Sequence, residues 1–98
     1  MKAPLYCVTV VCMGLTESQL VEAVPEMLSE FAERPWQTDV TCEAKDGVLR
    51  LSAVNDFDSN GLALLDELQD AVVASVRFDE RVSFVVESVS VQYRLADD

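Results

Sequence analysis

The chain contains no histidine. That removes the commonest general base, the commonest zinc ligand and every Ser-His or Cys-His nucleophile pair, and it leaves catalysis without positive support. Basic residues are scarce too: seven Lys and Arg stand against eighteen Asp and Glu, a formal charge of −11. So acidic a surface argues against direct binding to nucleic acid or to an anionic membrane, since both reward cationic faces. The three cysteines, Cys7, Cys12 and Cys42, are odd in number and lack CxxC spacing. They give neither a disulfide framework nor a metal knuckle, and they read as small buried hydrophobes in a reducing compartment. Ala3 to Leu15 is apolar behind Lys2, yet it is too short to cross a bilayer and shows no small-residue cleavage pattern before Thr16. A cytoplasmic location is expected.

What is present suffices for a core. Half of the 98 residues are apolar, and the length suits a single domain over 1–98. No repeat, low-complexity segment or linker interrupts it.

Leu5 to Met13 is β-branched and apolar on both faces, as a central strand requires. Gly14 ends it. Thr16 then serves as a helix N-cap, Gln19 closes a capping box, and Leu15 with Leu20 forms a hydrophobic staple. Leu20, Ala23, Val24, Met27, Leu28 and Phe31 recur at helical spacing and predict one buried stripe. Pro25 falls on the opposite face, where it predicts a kink rather than a stop, and Arg34-Pro35 ends the helix.

Gln37 to Val54 reads as a hairpin about Asp46-Gly47, the favoured two-residue turn pair. Val40 is then expected opposite Ala53, Cys42 opposite Leu51 and Ala44 opposite Leu49 on one face. Glu43 meets Arg50 and Thr41 meets Ser52 on the other, so apolar faces apolar and acid faces base. A second helix is expected from about Asn60 to Arg77, with Leu65, Leu68, Val72 and Val76 as its central stripe, flanked by Leu62, Leu64 and Val73. Asp66, Glu67 and Asp70 are expected outward. Arg81 to Leu95 is again strand-like.

Strand, helix, strand, strand, helix, strand with right-handed crossovers is the βαββαβ, ferredoxin-like arrangement. It is an α+β fold in which a four-stranded antiparallel sheet carries both helices on one face. Such a fold implies no function by itself.

Three features bear on function. Asp56-Phe57-Asp58-Ser59-Asn60-Gly61, followed by Glu67, fits the spacing of an EF-hand calcium loop. Asp56, Asp58, Asn60 and Glu67 would supply side-chain oxygens and Leu62 a carbonyl to a Ca2+ ion. The segment before the loop reads as a strand, Leu64 takes a usual ligand position, and no second loop is present. Ordinary helix capping explains the same residues.

Secondly, Glu22, Glu26, Glu30 and Glu33 share the outward face of the first helix, with only Arg34 near enough to compensate. Such a face keeps a small protein in solution, or it docks a basic partner. Thirdly, the last strand changes phase. Val82, Phe84 and Val86 sit at even numbers, whereas Val89, Val91, Tyr93 and Leu95 sit at odd ones. A bulge near Glu87-Ser88 would restore the phase; otherwise the second half faces a partner, and Val89, Val91, Tyr93 and Leu95 form a homodimer contact.

The expectation is a small acidic, non-enzymatic protein-interaction module without cofactor. It would bind a basic protein through Glu22, Glu26, Glu30 and Glu33, as an inhibitor or immunity-type protein does. A Ca2+-binding module at 56–67 is the alternative.

Overall fold

The structure, a computed structural model, describes residues 2–77 and 81–95, and within them the side chains from 4 to 93. The elements are β1 (Lys2–Met13), α1 (Glu17–Ala32), β2 (Thr38–Lys45), β3 (Val48–Asn55), α2 (Leu62–Ser75) and β4 (Ser83–Leu95). All four strands pair antiparallel in one sheet of order β2-β3-β1-β4, so β1 and β3 are central. Val8, Val10 and Cys12 of β1 point to one face, beside Leu49, Leu51 and Ala53 of β3. Both helices close that face: Leu20, Ala23, Met27 and Phe31 from α1, and Leu64, Leu68, Ala71 and Val72 from α2, belong to the same core. Truncating a residue such as Leu68 to alanine would cost about 2–5 kcal/mol, since nothing polar can fill the space. Among the described residues no helix is long and apolar enough to cross a membrane.

The local signals of α1 are realised. Thr16 Oγ1 accepts from the Gln19 backbone N–H at 3.2 Å, and Gln19 Oε1 accepts from the Thr16 N–H at 2.8 Å. The helix runs through Pro25 on its exposed side to Ala32. Leu28, expected in the stripe, is exposed. The buried arc is centred on Ala23, Met27 and Phe31, and Leu28 falls past its rim.

The second stripe holds at Leu68, Val72 and Val76, which are buried as expected, and differs at its flanks. Leu64, Leu68, Ala71 and Val72 are buried, Leu65 is only half-buried, and Leu62 and Val73 are exposed. Gly61, at φ 78°, precedes the helix, which starts at Leu62 rather than Asn60. A side chain there would meet Val86 Cγ1 at 2.7 Å, so only glycine lets the turn lie against the sheet.

The hairpin register holds from Thr41↔Ser52 to Lys45↔Val48, through a turn with Asp46 at φ 55° and Gly47 at φ 77°. It then slips by one, because Thr38 pairs with Val54. Val40 therefore does not sit squarely opposite Ala53 as expected. Asp39, at φ 50°, lies in this bulge on the outer strand.

β4 holds a second bulge. Thr9 pairs with Ser88 and Val10 with Val86, leaving Glu87 as the extra residue. Val82, Phe84, Val86 and Val89 consequently all pack on the core side, and the phase change is resolved. β3 stops at Asn55↔Tyr6, but β1 and β4 stay paired as far as Lys2↔Leu95. The sheet thus ends in a two-stranded ribbon beyond the helices. The side chain of Leu95 lies outside the described residues.

Candidate functional site

Along α1, Glu22, Glu26 and Glu33 are exposed, as their spacing predicts. Glu30 departs from the pattern. It is half-buried, and its carboxylate lies 3.4 Å from Arg34 Nη1, which also donates to the Glu30 carbonyl at 2.6 Å. Arg34 is held inward on other partners too: its Nε lies 3.3 Å from Glu67, and its guanidinium stacks 5.0 Å from the Phe31 ring centre. Arg34 thus serves Glu30 and Glu67, and Glu22, Glu26 and Glu33 are left without an ion pair among the described residues.

Glu67 is the node of a polar network that ties the end of α1 to α2 and β3. Trp36 Nε1 donates to its Oε1 at 2.9 Å, and Gln37 Nε2 to its Oε2 at 3.0 Å. Buried Gln37 in turn accepts from Asn55 Nδ2 at 2.9 Å. Asn55 Oδ1 accepts from the N–H groups of Phe57 and Asp58, which shapes the loop before α2. Glu67 is not the outward residue that its helical position suggested.

A groove of about 560 Å³ opens beside this network, where β1 overruns β3. Leu5, Val54, Pro35 and Trp36 give it apolar lining, and Asp39 and Asp56 give it negative charge. Trp36 is 51% exposed even though its N–H is satisfied. The stripe of α1 ends at Glu33, two residues before Pro35 of the groove lining. Sequence reasoning overlooked this groove. A lone tryptophan in the polar stretch Arg34-Pro35-Trp36-Gln37 was the available signal.

The calcium-loop residues are not brought together. Both Asp58 oxygens are occupied by backbone N–H groups, those of Ala63 at 3.0 Å and Leu64 at 2.9 Å. Asn60 Oδ1 accepts from the Leu62 N–H at 3.0 Å, Asp56 is exposed and lines the groove, and Glu67 serves Trp36, Gln37 and Arg34. Among the described residues no group of three Cys, Asp or Glu converges on a point where an ion could sit.

No family model, curated protein or solved structure matches the chain.

The cysteines are free thiols. Burial pushes Cys12 up to about 11, and burial together with the Glu43 charge pushes Cys42 up to about 11 as well. Both are protonated, poor nucleophiles at neutral pH.

Proposed function

We propose that the chain is a cytoplasmic, non-enzymatic interaction module of ferredoxin-like fold that binds a basic protein, in the manner of an inhibitor or immunity-type protein. The observation that carries this reading is the exposure of Glu22, Glu26 and Glu33 along one helix face while Arg34 is clamped away from them. A like-charged face costs stability, a few tenths of a kcal/mol per i,i+4 pair. A cationic partner turns that cost into attraction and steers its own approach. The groove lining, with Asp39 and Asp56 as well as Trp36, extends the same preference to a lysine or arginine side chain. Free thiols suit a reducing compartment.

The test is low-salt affinity capture from the native host, with the unaltered chain and a Glu22→Lys, Glu26→Lys variant run in parallel. Both substituted positions are exposed, so folding is retained. A basic protein held by the first, released by salt and missed by the second is the expected result. Identical material on both columns would remove the acidic face from the interaction.

A further inference from the structure

We infer that the projecting β1–β4 ribbon is a self-association surface, on which a second copy of this chain pairs antiparallel along the outer edge of β4 about a two-fold axis near Val91. The two edges of the sheet are built differently. β2, at one edge, is blunted by the Asp39 bulge and carries Glu43 and Lys45. β4, at the other, has thirteen residues, and past its bulge the run Ser88 to Leu95 contains no proline, no lysine and no acid. Proline, lysine and acids are devices by which edge strands avoid pairing with one another; the second half of β4 has none of these, and its single charge is Arg94 near the end.

Charge singles out the same place. Two copies at −11 each repel wherever their acidic surfaces meet. Neither strand of the ribbon, over residues 2–9 and 88–95, contains an aspartate or glutamate, so a second copy approaches here against the least repulsion.

Length explains why the surface is uncovered. Thirteen strand residues reach about 43 Å, whereas the fourteen residues of α2 cover about 21 Å. The molecule is accordingly 48 Å long and 22 Å across. Val89 still meets the core, but Val91 and Tyr93, on the same face, are 49% and 64% exposed. An axis at Val91 places Val89 opposite Tyr93 and stacks these side chains on the helix side of a continuous eight-stranded sheet.

This pairing is independent of the acidic face of α1, and salt separates the two. Screening weakens attraction to a basic partner but strengthens the association of two acidic copies. Sedimentation of the full chain from about 5 to about 500 µM covers the range in which a small interface associates. The expected result is a monomer–dimer equilibrium that tightens with added salt and weakens at least tenfold in Val91→Lys. Hydrogen exchange on the unaltered chain should then show concentration-dependent protection within 88–95 and none within β2, a readout that decides alone should Val91→Lys fail to fold. A monomer throughout, or a dimer without protection in 88–95, would overturn the inference.

Discussion

Arg50 of β3 holds Glu87 of β4 across the intervening β1, with Nε at 2.8 Å from Oε2 and Nη2 at 2.7 Å from Oε1. Glu87 follows core-facing Val86 and so lies on the open face of the sheet, where the fork of Arg50 grips it in a two-point contact. Glu43, the directly opposed cross-strand acid, lies further off at 3.8 Å. The stem of Arg50 crosses beside Val11, which is buried although it sits on the open side of β1.

The hydrogen bonds from Arg50 hold the Glu87 carboxyl below its ordinary range. A depressed folded value means that the pair stabilises above the unfolded carboxylate pKa and is lost as pH falls through the folded one. Glu87→Gln should therefore lower the urea midpoint at pH 7, and the gap to the unaltered chain should close in acid. The effect is small because the pair is solvated. A gap that stays constant with pH would assign it to packing of the bulge instead.

Asp58 is 3% exposed and caps α2 through two backbone N–H groups. Asp58→Ala leaves both buried donors unsatisfied and should cost about 1–3 kcal/mol. Millimolar calcium should neither raise the melting temperature of the unaltered chain nor alter this loss. A melting temperature that climbs with free calcium would show that the capping oxygens are recruited to an ion.

The thiols predict an alkaline limb. Cys12 and Cys42 stay protonated up to about 11 when folded, against 9.0 for an ordinary thiol. Between those values the folded chain binds more protons than the unfolded one, so stability falls as pH rises. Cys42→Ala should flatten that decline, as followed by urea midpoints at several pH values above neutrality. An unchanged slope would overturn the assignment of the decline to the Cys42 thiol. Iodoacetamide at neutral pH should leave fully buried Cys12 unmodified until the protein unfolds.

Features written by neighbouring residues were legible in the sequence. The Thr16 capping box and the Asp46-Gly47 turn each follow from residues a few places apart, where sterics leave little choice, and the phase change of the last strand allowed the Glu87 bulge as one of two explanations. Features that join distant segments were not. Trp36 meets Glu67 across 31 positions, and neither residue announces the other. Gly61 is needed because its left-handed turn lies against Val86 of β4, a contact that the helix it precedes does not announce. Asp58 and Asn60 were visible as oxygen donors, but capping and calcium binding want the same atoms at the same spacing. Only the N–H groups aimed at them distinguish the two.

Glu67 gives a test that links the groove to the fold. Its two oxygens take N–H groups from Trp36 and Gln37, and both contacts need an acceptor. Glu67→Gln retains one acceptor and presents an amide N–H to Gln37 Nε2, a donor facing a donor. It also removes the charge that holds Arg34 at 3.3 Å. The expected cost is about 1–3 kcal/mol, because the network is only partly open to water. Trp36 is the single tryptophan of the chain, so its emission reports the groove lining directly. It should shift to the red as the indole loses its anchor and turns further into solvent. Released from Glu67, Arg34 would also be free to reach toward Glu33, so the acidic face of α1 should bind its basic partner more weakly. Emission and stability identical to those of the unaltered chain would mean that Trp36 is positioned by Pro35 and the loop alone, and that the groove does not depend on Glu67.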